Sequence, residues 1–166
     1  MYTIISGTNR RDSNTLIVAA QYHQYLKEKN IDAKLLSLEN VNPLIKDEHF
    51  GLIENGFLCP ADKFIFIAPE YNGSIPGILK LLIDEADWKT AWKNKKAMLV
   101  GVSTGRAGNL RGLDHLASIL HHMRMQVLPF MLPISQVDKL INGKEIITDE
   151  MTVKVMKSQL DEFVNF

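Results

Sequence analysis

The chain has 166 residues, with 19 Lys and Arg against 19 Asp and Glu, 46% hydrophobic residues and one cysteine. This balance fits one ordinary globular domain over residues 1–166. A chain of this length removes roughly 70% of its unfolded surface from water, so neither disulfides nor a structural metal is needed to hold it together. Zero net charge also takes away the long-range field by which nucleic-acid and anionic-membrane binders recruit their ligands, and no nucleic-acid partner is expected.

Cys59 has no partner for an internal disulfide, and no CxxC or Cys/His cluster suggests a redox motif or a zinc site. The apolar start of the chain meets Arg10 and Arg11 too soon for a signal-peptide core. No apolar run approaches the ~18 residues of a membrane span. A reduced, cytoplasmic location without membrane contact is the expectation.

Tyr2–Ser6 is a short apolar run rich in β-branched residues and closed by Gly7, which predicts a buried strand. Ser13 or Asn14 caps a helix reaching about Asn30, with Leu16, Ala19, Ala20, Tyr22 and Leu26 on its inner face. Ala33–Leu38 is a second strand, and Val41–Leu58 is a poorly patterned connection with one short helix. Lys63–Ala68 is a third strand, apolar enough to be covered on both faces.

Pro76 stands where a helix can begin, since a first-turn residue needs no amide hydrogen. That helix continues through Leu79, Leu82, Ile83 and Ala86, before a solvated basic turn over Lys93–Lys96. Ala97–Ser103 is a fourth buried strand, residues 109–123 a helix, and Met125–Phe130 a fifth strand. Asn142-Gly143, between Lys139-Leu-Ile and Lys144-Glu-Ile-Ile, has the form of a tight turn in a small hairpin. Thr148 or Asp149 caps a last helix with an apolar stripe of Met151, Val155, Met156, Leu160, Phe163 and Val164. Alternating strands and helices predict an α/β fold, a doubly wound five-stranded parallel sheet of order 2-1-3-4-5 with helices on both faces.

Ligands in such sheets bind beyond the carboxyl ends of the strands, which directs attention to the loops after strands 1, 3 and 4. The first, Ser6–Thr15, sets hydroxyls, amides and two arginines at a helix N-terminus. Free backbone N–H groups, the helix dipole and an Arg favour an anion there. Helix capping alone accounts for Ser13 or Asn14 but not for Thr8, Arg10 and Thr15 together. Neither GxxxxGK[ST] nor GxGxxG is satisfied, because Asn9 and Asp12 occupy the second and third glycine positions of the latter. A terminal monophosphate held by hydroxyls fits better than a pyrophosphate. Glu39, near the end of strand 2, could reach a ribose, but without those glycines it is expected to face solvent.

The second loop, Ala68–Gly77, carries Glu70, Tyr71, Asn72 and Ser74 among prolines and glycines. It reads equally as a platform for a flat heteroaromatic ligand and as a shaped turn with Tyr71 in the core. The third loop, Gly101–Asn109, contains a literal GxSxG at 101–105, the elbow pattern of α/β-hydrolases. A triad needs a later histidine, yet the last is His122, and His115, His121 and His122 all fall in the helix directly after Ser103. A small-residue loop against a ligand's edge is the better reading. His115 and His122 share a helix face and are expected to be solvated or to meet a partner chain. Asp47-Glu-His49 lacks metal-ligand spacing, and Asp84, Glu85 and Asp87 form a helix surface or a subunit contact.

Taken together, Gly7-Thr-Asn-Arg-Arg-Asp-Ser-Asn14, Pro69-Glu-Tyr-Asn-Gly-Ser-Ile-Pro-Gly-Ile-Leu-Lys80 and Ser103-Thr-Gly-Arg-Ala-Gly-Asn109 resemble the NADPH-dependent FMN reductase family. This is the flavodoxin-like group that includes quinone, azo-dye and chromate reductases. The resemblance implies that Thr8, Arg10, Ser13, Asn14 and Thr15 hold the FMN phosphate. It also implies that Pro69, Glu70, Tyr71, Asn72 and Gly73 border the isoalloxazine, while Ser103, Thr104 and Gly105 approach its other edge. NADPH or NADH as reductant, a small-molecule flavin, quinone or azo-type acceptor, and a homodimer or homotetramer are implied with them. The chemistry would belong to the flavin, so no residue is assigned as acid or base.

The chain departs from the family pattern at several places. Relatives commonly have Ser at the place of Thr8, LKNAIDW at the place of the segment from Leu79 to Glu85, and a second glycine at the place of Asn109. Leu81, Leu82 and Glu85 lie on the helix that in relatives meets another subunit and shapes the nicotinamide and acceptor side, which leaves nicotinamide preference open. The rival reading is a flavin-binding electron carrier reduced by a protein partner, against which zero net charge counts. A serine esterase using Ser103 is remote.

Overall fold

The computed structural model describes residues 1–143 and 145–166. Strands β1 (Tyr2–Ser6), β2 (Ala33–Ser37), β3 (Lys63–Pro69) and β4 (Lys96–Val102) run parallel in the order β2-β1-β3-β4. The fifth position is filled by two segments, β5 (Gln126–Val127) and β6 (Leu132–Ile134), both parallel to β4. This is the expected 2-1-3-4-5 doubly wound sheet, with its last strand divided.

Helices α1 (Asn14–Glu28) and α6 (Glu150–Asn165) cover one face of the sheet. On the other face lie α2 (Glu48–Ile53), α3 (Gly77–Glu85) and α4 (Leu110–His122). A short α5 (Val137–Leu140) follows the sheet's edge. Side chains of a strand alternate between faces, and the two cores divide accordingly. Ile5, Phe64, Phe66, Ala97 and Leu99 join the α3–α4 layer, while Ile4, Ile65, Ile67, Met98 and Val100 join the α1–α6 layer. Both faces of the sheet are covered by buried apolar side chains, which accounts for the nearly unbroken apolar runs of β3 and β4.

The continuous fifth strand expected over Met125–Phe130 is not formed. Val127 pairs with Ala97 and Leu132 with Val100, so residues 128–131 stand opposite residues 98 and 99 and cannot continue the ladder. Pro129, lying in this span, has no amide hydrogen to donate. A side chain closes the gap: Gln159 Nε2 of α6 donates to Leu99 O at 3.0 Å and Phe130 O at 2.8 Å, while its Oε1 accepts from the buried Tyr22 hydroxyl at 2.9 Å. Burial pushes the Tyr22 hydroxyl well above its ordinary pKa, so it stays a neutral donor.

The basic turn also differs from expectation. Lys95 Nζ donates to the carbonyls of Leu58 and Cys59, each at 2.8 Å, and Lys96 lies in β4 and reaches Phe166 O. Partial burial lowers the pKa of Lys95. The inner face of α1 is Val18, Ala19, Tyr22 and Leu26, with Ala20 exposed, and Met151 of the expected α6 stripe is exposed too. Single π-helical turns at Glu54–Leu58 and Trp88–Trp92, and α5, have no counterpart in the sequence reading. Trp92 is nevertheless fully buried against Phe64, 5.2 Å between ring centroids. Ile141 and Ile147 bridge antiparallel as a small hairpin would, and Gln21 of α1 pairs with both backbone groups of Ile147. Lys144 of that turn lies outside the described residues.

The order β2-β1-β3 reverses direction at β1, with α1 on one face and α3 on the other. The chain therefore parts at the carboxyl ends of β1 and β3 and opens a crevice there.

Candidate functional site

The crevice holds a cavity of about 320 Å³, within the roughly 300–1,000 Å³ usual for ligand sites. Thr8, Arg10, Ser13, Asn14, Thr15, Pro69, Glu70, Tyr71, Ser103 and Thr104 line it together with Arg11, Asp12, Val102 and Val137. Three loops distant in sequence thus meet around one space. Asn72, Gly73 and Gly105 of the expected set lie outside its wall, as does Glu39.

The first loop leaves the sheet at Gly7, where a Cβ would stand 2.9 Å from both Ile67 O and Leu79 Cδ2, so only glycine lets β1 turn this close to β3. Thr8 follows, fully buried, and its Oγ1 accepts from Arg10 N at 3.2 Å and lies 2.5 Å from the Tyr71 hydroxyl. With Tyr71 as donor both lone pairs of Thr8 are filled, and its own proton is free to point into the cavity. Ser13 caps α1 by accepting from Leu16 N at 3.1 Å, and the first helical residues Asn14 and Thr15 face the cavity. The capping reading is therefore correct for Ser13, while Thr8, Arg10 and Thr15 line the cavity without capping the helix. With Arg10 and Arg11 also in the lining, the start of α1 and these hydroxyl side chains offer a donor set suited to a phosphate.

The second loop turns back on itself. Tyr71 and Ser74 exchange backbone hydrogen bonds of 2.9 and 3.1 Å across Asn72 and Gly73, whose φ values are 52° and 76°. Positive φ at both central positions is the demand of a type I′ turn, and Asn-Gly is its preferred filling. The tight turn accounts for Asn72 and Gly73, and it holds Tyr71 out of the core. The Tyr71 ring lies at the cavity wall with the Arg10 guanidinium 4.2 Å from its centroid.

In the third loop Ser103 Oγ accepts from Gly105 N at 3.0 Å, and Gly105 O accepts from Gln136 N at 2.9 Å. Residues 104–109 separate Ser103 from α4, so no sharp strand-to-helix elbow exists. His115 Nδ1 lies 2.9 Å from Ser74 Oγ rather than near Ser103. The geometry does not support an activated serine. Asn109 caps α4 from a left-handed conformation, and Gly101 and Gly112 are packed against it and its neighbour Gly108.

The remaining candidates are surface structure. Asp84 pairs with Lys80 at 2.6 Å and Glu85 with Lys46 at 3.1 Å, while Asp87 caps the Trp88–Trp92 turn and Asp47 caps α2. Hydrogen bonds from Thr90 hold the Asp87 carboxyl below its ordinary pKa. Among the described residues no cluster could hold a metal ion, and no helix is long and apolar enough to cross a membrane.

A cavity lined on one side by residues with hydroxyl and guanidinium hydrogen-bond donors and on another by an aromatic ring fits a cofactor with a flat ring system and a terminal phosphate. Residues 2–138 match the family model for NADPH-dependent FMN reductase. A 2-hydroxy-1,4-benzoquinone reductase of a Burkholderia species is 28% identical over 125 residues, 70% of this chain and 68% of that protein. An NAD(P)H-dependent FMN reductase of Pseudomonas aeruginosa is 31% identical over 105 residues, 60% of this chain and 56% of that one. The alignments thus span between about half and two thirds of these relatives. Among solved structures, the flavoenzyme NAD(P)H:(acceptor) oxidoreductase FerB of Paracoccus denitrificans has a similar fold, with TM-score 0.80 and 24% identity over 99% of this chain and 94% of that one. The chain belongs to the NADPH-dependent FMN reductase family, flavodoxin-like FMN-binding oxidoreductases that draw their electrons from NAD(P)H.

Proposed function

We propose that the chain binds FMN in the cavity between the loops after β1, β3 and β4 and uses NADPH or NADH to reduce a small-molecule quinone, flavin or azo-type acceptor. The observation that carries this reading is the convergence of Thr8, Arg10, Ser13, Asn14 and Thr15 with Tyr71 and Ser103 around one space of ligand size. Thr8, Ser13, Asn14, Thr15 and Arg10 hold the phosphate. Pro69, Glu70 and Tyr71, backed by the Asn72-Gly73 turn, border the ring system, and Ser103 and Thr104 close its other edge, with Gly105 holding the Ser103 hydroxyl. Bound FMN supplies the hydride-transfer chemistry. The protein's residues bind it, orient it and exclude water from one of its faces.

The 166 residues act as one flavodoxin-like unit in the cytoplasm, assembled as a homodimer or homotetramer. The names of similar quinone and FMN reductases support the acceptor class. The test is anaerobic addition of NADPH or NADH to the FMN-loaded protein, followed by a benzoquinone. Bleaching of the flavin absorbance and its return on adding quinone is expected. Flavin that resists both nicotinamides would overturn the reductase reading in favour of an electron carrier.

A further inference from the structure

Asn109 does not line the cavity, yet it is wholly buried beside the segment that does. Its φ of 64° is one that glycine adopts freely and asparagine tolerates. Backbone conformation alone would thus be served by glycine. The side chain instead donates from Nδ2 to Ala68 O at 2.9 Å and to Pro69 O at 3.1 Å, tying the N-terminus of α4 to the last residues of β3. Oδ1 accepts no hydrogen bond from the described residues, and burying such an atom carries a penalty that asparagine must offset by its two donated bonds.

The surroundings are built to admit this amide. A Cβ on Gly112 would stand 2.0 Å from Asn109 Oδ1, and one on Gly101 would stand 3.2 Å from Asn109 Cβ and 2.1 Å from Gly108 O. On its other side the same segment is held by Glu70 N, which donates to Val102 O at 3.0 Å. The peptide groups on both sides of Pro69 are therefore fixed where the chain leaves β3, and with them the direction in which Glu70 and Tyr71 enter the cavity wall.

We propose that Asn109 is the positioning residue that sets this backbone for the flavin, acting through Pro69 and Glu70. The proposal rests on the FMN reading above. An ordered wall lowers the cost of binding because less backbone must be immobilised when the ligand arrives. Asn109→Gly keeps the left-handed conformation and removes the amide. Asn109→Asp keeps the side chain's shape and removes both donors.

The test is titration of the apoprotein with FMN, with the visible circular dichroism of the bound flavin recorded at saturation. Asn109→Gly is expected to bind FMN about tenfold more weakly, and Asn109→Asp more weakly still, each with altered dichroism bands. A purely structural role would lower the apoprotein's melting temperature and leave the dichroism unchanged at saturation. Wild-type affinity and dichroism in Asn109→Gly would overturn the proposal. Should that variant not fold, the same result in Asn109→Asp would do so. Failure of the unmutated protein to bind FMN is a different result, overturning the FMN reading and the proposal with it.

Discussion

The two sides of the cavity are built in opposite ways. Between β1 and α1 the lining residues carry hydroxyl and guanidinium side chains: Thr8, Ser13 and Thr15, with Arg10 and Arg11. Around Pro69 and Glu70 the course of the backbone is set by the Asn72-Gly73 turn and by the amide of Asn109, a residue outside the cavity lining. A charged group is recognised by donors that side chains supply, whereas a flat ring needs a surface held at a fixed height. The comparison predicts that substitutions on the first side change affinity with little effect on folding, and that substitutions behind the second side disturb both.

The largest expected effect is on the second side. Gly101→Ala places a Cβ 2.1 Å from the Gly108 carbonyl. Backbone cannot yield as a side chain does, so a loss of about 3 kcal/mol of stability is expected in urea denaturation, with FMN affinity falling as well. On the first side Arg10→Ala is expected to weaken FMN binding by about 1–3 kcal/mol without moving the urea midpoint, as read by flavin-fluorescence titration. Tyr71→Phe joins the two sides: it keeps the ring under Arg10 and removes the hydroxyl beside Thr8. A loss of about 1 kcal/mol in FMN affinity is expected from that hydrogen bond.

A control far from both sides is the cap of α6, where Asp149 accepts from Thr152 N at 2.9 Å and Thr152 Oγ1 at 2.7 Å. These bonds hold the Asp149 carboxyl below its ordinary pKa. A carboxyl with a depressed folded-state pKa contributes stability above its unfolded value of about 3.9, and that contribution is lost as pH falls through the folded value. Asp149→Ala is accordingly less stable than the parent at neutral pH, by a margin that vanishes in strong acid, and its FMN affinity is unchanged.

What could be read in the sequence follows the same division. The strands from Tyr2, Ala33, Lys63 and Ala97 are visible because each is an apolar run between breakers, and α1 and α6 because their caps are side chains, Ser13 and Asp149. The hydroxyl and arginine set of the first loop is visible for the same reason. The fifth strand is not, since Met125–Phe130 has strand composition and nothing local announces that Gln159, on another helix, replaces part of the ladder. Nor can a local reading place Asn109. Its two acceptors lie about forty residues away, at Ala68 and Pro69. The I′ turn was legible in principle from Asn72-Gly73, the dipeptide such turns prefer.

The most direct test of the site is a comparison of FMN with riboflavin, which has the same ring system and no phosphate, by fluorescence titration of the apoprotein. If Thr8, Arg10 and the first turn of α1 form a phosphate cradle, FMN binds tighter by roughly a hundredfold, the worth of one or two charged hydrogen bonds. Equal affinities for the two would contradict the placement of the phosphate, and with it the orientation of the cofactor in this cavity.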